Sequence, residues 1–195
     1  MRKVEMKIGD KTKGVTAISI VDRPAIESNF VALAKDEKKV MMSIDEDQHI
    51  ITGAVLIPNK MIYRNSDFDG GECEIFFTAD TIKLASQQFL SGKNVHDTTV
   101  QHAVSTDDAS IVESWLVADT QKDKSCALGL NMPVGTWMAS YYVCNDQLWN
   151  SIKSGVFNGF SIEAEFEMVD LSKQDDDLTD EDLQKIIDVA KSFAK

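Results

Sequence analysis

The sequence predicts an α+β domain, built as a small, mainly antiparallel β-barrel or as a sheet flanked by helices. About seven segments are apolar or alternate between apolar and polar residues, and about three have helical periodicity. The helical segments are inserted between strands without the strict alternation of a parallel α/β fold. The 195 residues, 43% of them hydrophobic, are enough for one domain with a sizeable core.

The predicted strands are rich in β-branched and aromatic residues, and turn residues bound most of them. In chain order they cover residues 15–21, with a short continuation at 29–34, and then 48–57, 72–78, 98–104, 110–118, 135–143 and 159–169. The predicted helices cover residues 80–91, 145–154 and 179–194, each with an apolar stripe on one face. Each begins at a residue that can cap it, namely Thr78 or Asp80, then Asn145, then Thr179.

The charge of the chain limits its partners. A net charge of −12 disfavours nucleic acid, whose phosphates require a basic surface, and allows basic partners. Many of the acidic residues lie between 170 and 182, which is typical of a solvated linker. We therefore expect a body at residues 1–169, followed by an acidic linker and an amphipathic helix at residues 170–195.

Several classes of protein are disfavoured by what the chain contains. Its apolar runs fall short of the ~20 residues that cross a bilayer, and its charged start does not precede the apolar segment of a signal peptide. The cysteines are odd in number and widely spaced, as in a reducing cytosol; they are Cys73, Cys126 and Cys144. The ligand spacing of a zinc site is missing, and we expect no metal, no other cofactor and no membrane partner.

Ser161 and His102 are the residues that most clearly suggest catalytic chemistry. A hydroxyl and an imidazole are the minimum parts of a nucleophile–base pair, in which the imidazole takes the hydroxyl proton. Ser161 follows Gly159 at the start of a predicted strand, and the glycine would allow a close approach of backbone or substrate. On spacing alone, an exposed serine and an ordinary surface histidine explain the same pattern, since the second glycine of a GxSxG elbow is missing.

Glu113 lies inside an apolar predicted strand, where a buried carboxylate would need a partner. The His102 imidazole is one candidate partner, across a predicted hairpin, and would be oriented by the carboxylate as in a triad. The alternative is a half-exposed strand whose glutamate faces water.

A series of short strings resembles a known family in both content and order. The strings are GAVLIP at 53–58, NSDFDG at 65–70, VQH at 100–102, IVESW at 111–115, GTW at 135–137, DQLWNSIKSG at 146–155 and NGFSI at 158–162. This ordered set, over roughly residues 15–168, resembles the XkdF-like serine proteases of tailed phages. These are relatives of the prohead proteases, a wider group similar in fold to herpesvirus assemblin.

The resemblance implies that Ser161 is the nucleophile and His102 the general base. In related prohead proteases, a strand of the type E-V-S-L-V followed by P-A lies after the serine. Here the matching string, residues 17–25, lies before the other strings, so the strand order looks circularly permuted. Ala17 stands in the place of the glutamate, which leaves Glu113 as the first candidate for the third member of the triad and Asp22 as the second.

The same resemblance implies a serine endopeptidase that processes scaffold and major capsid proteins through an acyl-enzyme. It would act inside the procapsid, in the host cytoplasm, with a second copy of the chain as a further candidate partner. Relatives often carry glycine where this chain has Glu163, so one alternative is a capsid-assembly or scaffold-binding protein that kept the fold and lost activity. Another is an acidic binding module that recruits a partner through the predicted helix at residues 179–194.

Overall fold

The computed structural model describes residues 1–25, 42–45, 48–68 and 70–173. The strands in these residues are β1 (Lys3–Lys7), β2 (Gly14–Val21), β3 (Met42–Asp45), β4 (Ile50–Leu56), β5 (Ile62–Arg64), β6 (Cys73–Phe76), β7 (Thr98–Val100), β8 (Val104–Ser105), β9 (Ala109–Leu116), β10 (Trp137–Val143), β11 (Gly159–Glu165) and β12 (Glu167–Asp170). The helices are α1 (Ala79–Ser91), α2 (Lys124–Ala127) and α3 (Asp146–Lys153), with short 3₁₀ helices at Lys93–His96 and Leu171–Lys173.

The strands form three four-stranded sheets, in the orders β12-β1-β6-β5, β3-β4-β10-β9 and β11-β2-β7-β8. Strand pairs are antiparallel except β1 with β6 and β2 with β7. The α+β class is therefore confirmed. Across the described residues, these sheets do not close into a barrel, so of the two predicted architectures the flanked sheets are the one observed.

The core lies around the central strands β2, β4 and β10. Almost every residue of these strands is buried, although neighbouring side chains point to opposite faces, so both faces of each strand are covered. The rings of Tyr141 in β10 and Phe160 in β11 meet at 5.1 Å. The apolar face of β11 therefore points toward the core, and its other face carries polar side chains.

Helix α1 buries the stripe that the sequence predicts, and Phe89 packs against Trp137 at 5.6 Å between ring centroids. The Thr78 hydroxyl accepts a hydrogen bond from the Thr81 N–H, so Thr78 rather than Asp80 is the N-cap. Helix α3 begins after Asn145, whose side chain accepts from two backbone N–H groups as predicted.

The predicted strand at 98–104 is wrong in its centre. Gln101 and His102 have φ angles of 55° and 56°, in the left-handed region that a strand does not use, so the chain turns there and separates β7 from β8. The predicted hairpin between His102 and the strand of Glu113 is also wrong, because β8 pairs with β7 while β9 pairs with β10.

The predicted strand at 159–169 is divided at Phe166 into β11 and β12, which belong to different sheets. Three short strands, β1, β3 and β5, were not predicted. The predicted strand at 29–34 and the helix at 179–194 lie outside the described residues, so the division into a body and a tail stays a prediction. Within the part of the chain that is described, no helix is both long and apolar enough to cross a bilayer.

Candidate active site

Ser161 belongs to a row of three hydroxyl side chains that crosses one sheet. In the strand register, Ser161 of β11 lies opposite Ser19 of β2, and Ser19 lies opposite Thr99 of β7. Directly paired residues point to the same face of a sheet, with neighbouring strands about 4.8 Å apart. Ser161, Ser19 and Thr99, here called the hydroxyl row, therefore share one face; Ser19 is fully buried and Ser161 is half-buried.

His102 is held next to this row by the turn between β7 and β8. The Ala103 N–H donates to the Val100 carbonyl at 3.1 Å, with Gln101 and His102 as the two left-handed central residues, as in type I′ turns. The His102 N–H donates to Ser19 Oγ at 3.0 Å. The backbone of His102 is thus attached to the central member of the hydroxyl row.

A carboxylate meets the imidazole of His102 from the strand of Ser161. Glu163 lies two residues after Ser161 and shares its face of β11. Its Oε1 is 3.4 Å from His102 Nδ1 and accepts a hydrogen bond from Thr99 Oγ1 at 2.6 Å. A carboxylate on Nδ1 orients an imidazole so that Nε2 is free to act on a nucleophile.

The Ser161 hydroxyl makes no hydrogen bond to His102 or to any other described residue. Catalytic hydrogen bonds often tighten only when substrate binds, so the absence of this bond is compatible with a nucleophile and its base. The site therefore consists of an imidazole–carboxylate pair beside a serine on the same sheet face.

A groove of about 490 Å³ adjoins this arrangement and includes Thr99 and Glu163 in its wall. Ala17, the register partner of Glu163, lies in the groove, where its small side chain leaves space. Asp97 and Asp107 add further carboxylates to the wall. Across the described ranges, no group of three or more His, Cys, Asp or Glu side chains is arranged to hold a metal ion.

A family model described as "Putative phage serine protease XkdF" matches residues 37–170, more than half of the chain. The chain belongs to this family. Searches of curated proteins and of solved structures found no match. The resemblance to XkdF-like proteases is thereby confirmed. The matched range includes His102, Ser161 and Glu163, while β2 lies before it.

In this XkdF-family chain, the structure does not bring Glu113 to His102. Glu113 lies in the sheet of β9 and β10, where it forms an ion pair with Lys124 and accepts a hydrogen bond from Ser140 Oγ at 2.9 Å. The hydrogen bond from Lys124, followed by that from Ser140, holds the pKa of Glu113 below its ordinary value. The Glu113 side chain is 47% exposed, so the alternative of a half-exposed strand whose glutamate faces water is the one observed, with Lys124 as its ion-pair partner.

Asp22, the second candidate for the third member, lies just beyond β2 and contributes backbone contacts. Its N–H donates to Gln101 Oε1 at 3.3 Å, and its carbonyl accepts from Asn158 Nδ2 at 3.1 Å. These bonds join the end of β2 to the His102 turn and to the start of β11. The carboxylate that pairs with the His102 imidazole is that of Glu163, not that of Asp22.

The close approach predicted at Gly159 is made by Pro24. A Cβ atom at position 159 would lie 2.8 Å from Pro24 Cγ, closer than such atoms pack. The glycine thus lets the segment after β2 lie against the start of β11, next to Ser161.

Glu163 is the site residue that sequence reasoning missed. It was visible as a carboxylate two positions after Ser161 on the same strand face, but such an alternation is usually solvated. Its register partner is Ala17, the position where the resemblance leads one to expect glutamate. The carboxylate expected on β2 is thus present on the neighbouring strand, β11.

Proposed function

We propose that this XkdF-family chain is a serine endopeptidase with Ser161 as nucleophile, His102 as general base and Glu163 as the residue that orients the base. One observation carries the proposal. Ser161 and Glu163 share a face of β11, and the Glu163 carboxylate is 3.4 Å from His102 Nδ1. This is the arrangement that nucleophilic acyl transfer requires of the base and its partner.

The reaction begins when Ser161 Oγ bonds to the carbonyl carbon of a peptide and passes its proton to His102 Nε2. The tetrahedral intermediate then breaks its C–N bond, and the imidazolium returns the proton to the departing amine. Water repeats the sequence on the acyl-enzyme with the same imidazole as base, which releases the new carboxyl terminus and restores the serine. Glu163 stabilises the imidazolium that forms in each half.

The proposed substrates are the scaffold and major capsid proteins of a phage head, cut inside the procapsid. The family description supports a phage serine protease. The assemblin-like fold and the permuted strand order are part of the same proposal. The pairing of β2 with β11 supports the permuted order, because it brings the string at residues 17–25 beside the strand of Ser161.

A fluorophosphonate probe tests the nucleophile without knowledge of the cleavage site. We expect one adduct, found at Ser161 by mass spectrometry, and cleavage of co-expressed scaffold protein. Ser161→Ala and His102→Ala should lower both by at least about 10³-fold. The matched control is Ser110→Ala, which removes an exposed serine of β9. Full scaffold processing by Ser161→Ala would refute the proposal.

The second candidate is a capsid-assembly or scaffold-binding protein on the same fold. The observation that favours it is the missing hydrogen bond between Ser161 and His102 among the described residues. It predicts that wild type and Ser161→Ala bind scaffold and support head assembly equally, with no cleavage by either. The co-expression experiment distinguishes the two candidates: scaffold fragments that require Ser161 support the peptidase, and intact scaffold with wild type supports the assembly protein.

A further inference from the structure

Ser19 is fully buried, although it lies on the same sheet face as the half-buried Ser161. Its hydroxyl makes two hydrogen bonds. It accepts from the His102 N–H at 3.0 Å and lies 3.4 Å from the Thr99 carbonyl oxygen, to which it donates. The hydroxyl hydrogen is engaged by Thr99, so a lone pair is left facing His102.

This bond occurs where the backbone ladder between β2 and β7 ends. The Gln101 N–H still donates to a β2 carbonyl, that of Ile20, at 3.0 Å. Gln101 is the first left-handed residue of the turn; at the second, the N–H of His102 donates to a side chain instead of to a strand. A left-handed conformation is unfavourable for a residue with a Cβ and persists only where its surroundings hold it.

We propose that Ser19 is a positioning residue for the general base. By accepting the His102 N–H, its hydroxyl fixes the left-handed backbone from which the imidazole reaches Glu163 beside Ser161. The proposal rests on the proposed function for its catalytic consequence, since it assumes that His102 is the base. Its structural part, the fixing of the His102 backbone, can be measured without any activity.

Three variants test this role. Ser19→Ala removes the acceptor, and Ser19→Thr keeps a hydroxyl at the same place. Ser140→Ala is the matched control, because Ser140 is equally buried on a central strand but bonds to Thr52 and Glu113 in another sheet. If Ser19→Ala is too unstable to measure, Ser19→Cys takes its place, since a thiol is a weak acceptor of similar size.

The first readout is NMR of the His102 amide. We expect Ser19→Ala to lower its protection from hydrogen exchange by about tenfold or more and to change its HN–Hα coupling, which reports φ. Ser19→Thr and Ser140→Ala should leave both unchanged. The second readout is kinetic: Ser19→Ala should lower kcat about tenfold while KM changes by less than about twofold, and Ser19→Thr should restore kcat.

The outcomes separate this proposal from the proposed function. An unchanged His102 amide in folded Ser19→Ala overturns the positioning role, whatever the activity. An equal loss of kcat in Ser19→Ala and Ser140→Ala also overturns it, because the effect would then reflect general stability. If wild type neither reacts with the fluorophosphonate nor cleaves scaffold, but Ser19→Ala still lowers the protection of the His102 amide, the peptidase proposal fails and the positioning of His102 by Ser19 stands.

Discussion

Glu163→Gln removes one negative charge from the candidate site and keeps the shape of the side chain. The carboxylate oxygen lies 3.4 Å from His102 Nδ1. At this separation Coulomb's law gives about 1.2 kcal/mol in water and about 5 kcal/mol at an effective dielectric constant of 20. Both side chains are more than a third exposed, at 40% for His102 and 36% for Glu163, so solvent screening places the interaction near the lower value.

The charge of Glu163 matters most when His102 becomes an imidazolium. We expect its loss to raise the barrier by about 1–2 kcal/mol, which lowers kcat by about 5–30-fold. This is far below the loss of about 10⁴-fold when a buried triad carboxylate is replaced by its amide. The difference follows from exposure. In an open site, water can hydrogen-bond to the imidazole when the carboxylate is lost, whereas in a buried site it cannot.

The assay compares kcat, or the rate of fluorophosphonate labelling, among glutamate-to-glutamine variants. Glu165→Gln is the matched control on the same strand, where Glu165 pairs with Lys13 at 3.0 Å instead of with the imidazole. Added salt should shrink the difference between wild type and Glu163→Gln, since exposed charges are screened. A normal rate for Glu163→Gln together with a rate reduced about tenfold or more for Glu113→Gln would refute the orienting role of Glu163.

Three further results are expected. Ala17→Glu should restore part of the labelling rate lost in Glu163→Ala, because the two positions are register partners; no gain over Glu163→Ala alone would contradict this. Gly159→Ala should cost about 1–3 kcal/mol of unfolding free energy in urea, since its Cβ would meet Pro24, and an unchanged midpoint would count against that contact. Glu113→Gln should cost up to about 1 kcal/mol at pH 7. The pKa of Glu113 is held below its ordinary value of 4.5, so this stabilisation is present above pH 4.5 and is lost as pH falls through the folded-state pKa; a cost that persists in acid would argue against the ion pair.

The elements that the sequence predicted are those with strong local signals. Strands β2, β4 and β10 are long and apolar, and helices α1 and α3 combine an apolar stripe with a capping residue. Strand β1 was missed because its apolar residues, Val4 and Met6, alternate with charged ones in a segment of only five residues. It is ordered by pairing with β6 and β12, which are distant in the chain and invisible to a local pattern.

The candidate site shows the same limit in a different form. Ser161 and His102 could be proposed because they belong to an ordered series of strings, but the partner of His102 depends on strand register. Glu113 was a candidate as a charge within an apolar strand, but the strand is half-exposed there and the carboxylate pairs with Lys124 at the surface. Glu163 carried no local signal that distinguished it from a solvated glutamate.

The turn that carries His102 shows why the sequence pattern was misleading there. Turns with two left-handed residues usually carry asparagine, aspartate or glycine, and none of these residues stands at positions 101 and 102. A glycine at position 102 would suit the backbone but would remove the imidazole. A left-handed residue with a Cβ costs about 1–2 kcal/mol, and a buried hydrogen bond contributes about 0.5–1.5 kcal/mol. The bond from the His102 N–H to Ser19 thus offsets part of the strain of this turn, which helps a histidine to occupy a position that favours glycine.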